Sequence, residues 1–144
     1  MTTELSSTGF TALARIAATR NDYALLLLRT ALAAMWLAHS LLLKVFVFTL
    51  PGFAAWLGAH NLPEALALPI VVVEIAGGIA ILLGWYGRQV SLLLLPILLG
   101  ATWLHLGNGW VFFSPNGGWE YPLFLVAMSL VHGLLGDGAL ALRH

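Results

Sequence analysis

The stretch Leu25–Phe48, LLLLRTALAAMWLAHSLLLKVFVF, decides how the rest of the chain is read. At about 1.5 Å per helical residue, it is long enough to cross a hydrocarbon core of about 30 Å. It nevertheless carries Arg29, His39 and Lys44. A lysine or arginine at the centre of a spanning helix costs about 2.5–3.5 kcal/mol to insert. These groups therefore need a partner, a position near an interface, or a functional role.

The remainder of the chain removes a soluble reading of that stretch. Of 144 residues, 60% are hydrophobic and only 8% are charged, and the mean hydropathy is +0.94. Soluble domains carry about 25% charged residues. A core of this size cannot hide four long apolar stretches, so the expected fold is an all-α integral membrane four-helix bundle. The lipid bilayer is then the first partner. Net charge is zero with no basic cluster, which argues against nucleic acid. The chain has no cysteine, so dithiol redox chemistry, iron–sulfur clusters and thiolate metal sites have no ligands here.

Spans are expected at about 22–50, 63–84, 88–107 and 121–136, each near the roughly 20 residues that a crossing needs. Residues 1–21 read as a cytoplasmic segment, with FTALARIAA (10–18) as a short amphipathic surface helix. The apolar run after it is too long for a signal-peptide core and should stay as the first span. PGFAAWLGAHNLP (51–63) is too short to cross and suits an interfacial helix between spans one and two. Pro96 should kink the third span. Arg15, Arg20, Arg88 and Arg143 fall on one side of these spans, which places both termini in the cytoplasm of a bacterial inner membrane. Trp56, Trp110 and Trp119 then sit in or beside the outer loops as an aromatic belt.

Counting inward at about 1.5 Å per residue sorts the polar groups by depth. Arg29, Glu74 and His132 fall in a middle-to-inner buried layer. His39 and His105 lie higher, and Lys44 lies near the outer interface with Glu120 and Asn108 in the adjoining loops. At about 100° per residue, Arg29 and Lys44 differ by about 60°, while His39 lies about 80° the other way. Gly77 and Gly78 follow Glu74 and should let a neighbouring helix approach closely. Arg29 with Glu74 reads as an ion pair locking span one to span two, with a ligand pocket or proton path at Glu74 as the alternative. Lys44 reads as an end-of-helix lysine reaching for the interface. No two histidines have i, i+3 or i, i+4 spacing, so no metal site is expected.

The block EIAGGIAILLGWYGR (74–88), with Arg29 in the first span, Lys44 closing it, and Gly58 and Pro63 in the outer segment, resembles the DoxX family of small four-helix bacterial membrane proteins. The matching positions are Arg29, Lys44, Gly58, Pro63, Glu74, Gly77, Gly78, Gly84 and Arg88, and the closing GDGALAL is similar too. The resemblance covers about residues 23–142, so a DoxX-like domain is expected over 22–142. Two departures stand out: Ser40 and leucines precede Lys44 where the family often has glycine, and Asp137 lies inside the Gly-Asp-Gly turn rather than closing the tail. The family is named for a subunit associated with thiosulfate:quinone oxidation. The resemblance therefore implies a small subunit of a membrane redox assembly, working with other membrane or redox subunits or as a homo-oligomer. Quinone is the implied ligand, with His39, Lys44 or His105 donating to its carbonyls. The alternative is a non-catalytic scaffold that recruits a partner and whose charges only register its helices.

Overall fold

The computed structural model describes residues 4–143, with side chains from residue 19 onward. Among the described residues the chain is helical, and its only β feature is an isolated bridge between Trp85 and Arg143. The first helix, α1 (Glu4–Leu37), passes into a π-helical segment, Ala38–Val47. The backbone of α1 runs through 10–18, but the side chains on which the amphipathic reading rests lie outside the described residues. Helix α2 (Leu50–Ala59) occupies the segment expected to be interfacial. A short 3-10 turn, Glu64–Leu66, leads into α3 (Ala67–Leu83), followed by α4 (Gly87–Leu93), α5 (Leu95–His105) and α6 (Glu120–Leu135).

Among the described residues, three stretches are long and apolar enough to cross a membrane: Thr19–Val47, Glu64–Leu83 and Gly87–Asn108. Helix α6 is apolar but spans 16 residues, fewer than these. The distribution of side chains is that of a membrane protein. Leu27, Leu93 and Leu134 are 71%, 76% and 76% exposed, while Arg29, Glu74, His132 and Asp137 are buried. In water that arrangement would waste apolar area at about 25 cal/mol per Å². In lipid it is the low-energy one, because the bundle interior is the place where polar groups find partners.

Helix α1 packs mainly on α3, and α6 packs against α4, α5 and α1. Their shared core contains Leu32, Ala33, Trp36, Ile81, Leu94, Leu98 and Val126. The third span breaks at Leu94, between α4 and α5, because Pro96 has no amide hydrogen to bond a carbonyl four residues back. The break turns Leu94 into the core, against Gly77. A β-carbon on Gly77 would stand 2.6 Å from Leu94 Cδ1, and one on Gly78 would stand 3.1 Å from Trp36 and Leu37. The close approach expected at the Gly-Gly pair is thus used on both sides. A second core, Phe53, Leu57, Ala67 and Val71, docks α2 on α3. Thr49, at φ 64°, turns the chain sharply between the π segment and α2, and its hydroxyl caps Gly52 N at 3.3 Å.

Candidate functional site

Two clusters of buried polar side chains lie in this bundle. The first forms where the π segment meets α3. Lys44 Nζ donates to Glu74 Oε1 and Oε2 at 2.6 and 2.7 Å, with the Glu74 side chain 3% exposed and that of Lys44 20%. The same ammonium lies 4.6 Å from the centre of the Phe53 ring, a cation–π contact that lets α2 roof the pair. His39 lies five residues before Lys44 in the same π segment. Its ring stacks on Tyr121 of α6 at 5.2 Å, and its Nδ1 lies 2.9 Å from Met35 O. Tyr121 in turn donates its hydroxyl hydrogen to Met35 Sδ at 2.8 Å.

The π winding explains why this cluster exists. Hydrogen bonds from residue i to i+5, such as Phe48 N to Leu43 O at 2.7 Å, make a wider turn than an α-helix. Lys44 therefore lies deeper, and at a different azimuth, than an α-helical count places it. The expectation that Arg29 pairs with Glu74 is corrected: Lys44 is the partner of Glu74. The expectation that Lys44 reaches for the interface is corrected with it. Extrapolating about 100° and 1.5 Å per residue through the π segment misplaced Lys44; Arg29, which precedes that segment, was paired with Glu74 only because both fell in one broad depth layer.

Arg29 belongs to the second cluster, at the opposite end of α3. Its guanidinium donates to the backbone carbonyls of Asp137 at 3.0 Å and Ala139 at 3.3 Å, in the loop after α6. That loop runs back along the bundle: Ala139 N bonds Asp22 O, Arg143 N bonds Gly84 O, and Tyr86 N bonds Arg143 O. Gly84 sits at φ 63°, and a side chain there would collide with the Arg29 guanidinium and with Ala141. Within this cluster His132 joins α6 to two other elements. Ser91 Oγ of α4 lies 2.7 Å from His132 Nδ1, and Asp137 Oδ1 lies 3.0 Å from His132 Nε2. The latter contact is close but poorly angled, so both atoms remain buried without a hydrogen bond, as do Arg29 Nε and Ser129 Oγ. Its attraction is electrostatic.

Arg29, Glu74 and His132 are all buried, yet only Arg29 and His132 share a cluster. Of the outer candidates, Lys44 pairs with Glu74 and His39 stacks on Tyr121. His105 lies elsewhere, its Nδ1 2.7 Å from Ala101 O and its ring 6.2 Å from Trp56, which leans on His60 at 4.2 Å. Glu120 and Asn108 organise the outer loop instead of approaching Lys44. Glu120 Oε1 accepts from Phe112 N, and Asn108 donates to the carbonyls of Asn116 and Gly117.

Sequence reasoning missed Ser91, Tyr121 and Asp137 as site residues. Asp137 had a weak signal as an acid in the closing Gly-Asp-Gly turn, but nothing local places its carboxylate on His132 or its carbonyl on Arg29. Ser91 and Tyr121 had none, since an apolar helix gives a lone hydroxyl no period to stand out from.

Tyr121 also connects the first cluster to the surface of the bundle. With Trp110, Phe112, Glu120, Leu123, Phe124 and Ala127 it lines an open crevice of about 520 Å³ on the outward side of α6. Phe112 and Phe124 are exposed there.

A family model, DoxX, matches residues 24–107. That region holds Arg29, Lys44, Glu74 and Ser91, and ends before α6 and the returning tail. Neither the curated proteins nor the solved structures contain a match.

Proposed function

The chain belongs to the DoxX family, a multi-pass membrane protein by its three long apolar helices, and on that premise we propose that it is a small intramembrane subunit of a redox assembly that receives a quinone-type ring beside His39. The observation that carries this reading is the position of Tyr121, which stacks on His39 on one side and lines the lipid-facing crevice on the other. Pockets for small molecules are mostly apolar with a few polar groups, and this crevice is lined by aromatic and aliphatic side chains with Glu120 and Tyr121 among them. In this reading α6 acts as a fourth span, the membrane is the bacterial inner membrane, and both termini are cytoplasmic. The meeting of Arg88's loop with Arg143 at one end of the bundle supports that orientation.

Purification in gentle detergent followed by lipid extraction and mass spectrometry tests the ligand. Quinone should co-purify, or bind on titration, and Tyr121→Ala should weaken it. Failure of any quinone to bind would end this reading.

A second reading is a scaffold without a ligand, and one observation favours it. Each buried charge ties together segments far apart in sequence: Lys44 ties the π segment to α3, and Arg29 ties α1 to the tail. Unchanged quinone binding combined with lost stability on Glu74→Gln would assign these charges to architecture alone.

A further inference from the structure

We propose that the crevice beside α6 binds a single-chain amphipathic amine, with its ammonium at Glu120 and its tail running down the helix, a ligand beyond the quinone-type reading and independent of it. Glu120, Leu123, Phe124 and Ala127 all line the crevice, and they stand at i, i+3, i+4 and i+7 of α6, so they form one face. At about 1.5 Å per residue, that face descends about 10 Å from a carboxylate to purely apolar side chains. Leu123, Phe124 and Ala127 are exposed along it and offer a tail its apolar contact. The crevice volume, about 520 Å³, is that of a small-molecule site.

The carboxylate at the upper end is held but not neutralised. Glu120 Oε1 accepts from Phe112 N at 2.7 Å, and Glu120 N donates to Trp110 O at 3.0 Å. These bonds fix the loop that carries Trp110 and Phe112, and Trp119 packs edge-on against Trp110 at 4.3 Å. Among the described residues, Glu120 Oε2 has no hydrogen-bond partner, and no lysine, arginine or histidine lies within ion-pair distance of Glu120. The complement this mouth lacks is a cation. The rings of Trp110, Phe112, Tyr121 and Phe124 line the same crevice, and aromatic faces attract cations. The Tyr121 hydroxyl hydrogen goes to Met35 Sδ and does not compete for the carboxylate. The lining holds no basic side chain, so a phosphate beside Glu120 would find no partner. That sets a simple ammonium apart from a phospholipid headgroup.

The test is calorimetric titration, at neutral pH, of the protein in phosphatidylcholine nanodiscs with decylammonium and with decanol, its uncharged counterpart. Empty nanodiscs give the partitioning of each probe into lipid. The ammonium should bind the protein about tenfold tighter than the alcohol, the value of one hydrogen bond to a charged group. Glu120→Gln keeps an acceptor for Phe112 N and removes the charge, so ammonium affinity should fall to that of the alcohol while the alcohol is unchanged. Ala127→Phe fills the lower end of the face without touching Glu120 and should weaken both probes. Equal affinity of the two probes for the parent protein, or ammonium binding that survives Glu120→Gln, would overturn the proposal. So would unchanged ammonium binding in Ala127→Phe, whatever Glu120→Gln does to the loop. Quinone is titrated separately, so neither ligand's failure decides the other.

Discussion

Replacing Lys44 by methionine removes the counter-charge of a carboxylate that is 3% exposed. Two short hydrogen bonds disappear, and Glu74 is left in a bundle interior where α2 and Phe53 restrict access to water. Breaking a buried pair by removing one partner costs about 3–5 kcal/mol. Lys44 is one-fifth exposed, so its own desolvation is incomplete and the lower end, about 3 kcal/mol, is expected. Glu74→Met should cost a similar amount, because it leaves the ammonium stranded. The double variant Lys44→Met/Glu74→Met replaces the pair by apolar atoms of similar size and should lie within about 1 kcal/mol of the parent. Reversible unfolding in mixed micelles, followed by tryptophan fluorescence, gives the four free energies of the cycle. A strong negative coupling is expected for Lys44 with Glu74. Arg29→Met combined with Glu74→Met should be additive within about 0.5 kcal/mol, because those residues share no partner. Additivity in the first cycle, or coupling in the second, would refute the assignment of the two clusters.

Two further outcomes test the architecture. Arg29→Lys should fail to restore what Arg29→Met loses, because a single ammonium lacks the planar fork that reaches both Asp137 O and Ala139 O; both variants should expose 139–143 to limited proteolysis, and a protease-resistant tail would contradict the latch. The chain has no cysteine, so single cysteines report topology directly: His60→Cys in intact cells should react with a membrane-impermeant maleimide, Arg88→Cys only after permeabilisation, and the reverse pattern would invert the proposed orientation.

Much of the fold was legible because a bilayer imposes length. Apolar runs of about 20 residues, Pro63 and Pro96 as punctuation, and the aromatic segment 51–62 placed the later helices to within a few residues, whereas α1 begins at Glu4 rather than near 22. The π segment was not legible. Its residues, AHSLLLKVFV, contain no proline or glycine that would announce altered winding, and the helix carries straight on from α1. Everything computed by projecting through it was displaced, which is why Lys44 was separated from Glu74. The inner cluster was half legible. Arg29 and His132 announced themselves by being ionisable in apolar helices, but Asp137 sits in a turn whose return path against α1 is a tertiary fact. No local pattern in GDGALAL encodes that its carbonyls will meet an arginine 108 residues earlier.

That separation sets a timetable for the nascent chain. Translation at about 5–20 residues per second takes on the order of 5–20 s to make the 108 residues between Arg29 and the carbonyl of Asp137. For the part of that interval after it leaves the ribosome, the first span carries its guanidinium without these partners. It must wait by leaning toward the headgroups, holding water, or resting against the insertion machinery. Closure of this contact thus waits until Asp137 has been made, and a ribosome stalled before it would leave the Arg29 guanidinium without the carbonyls that satisfy it.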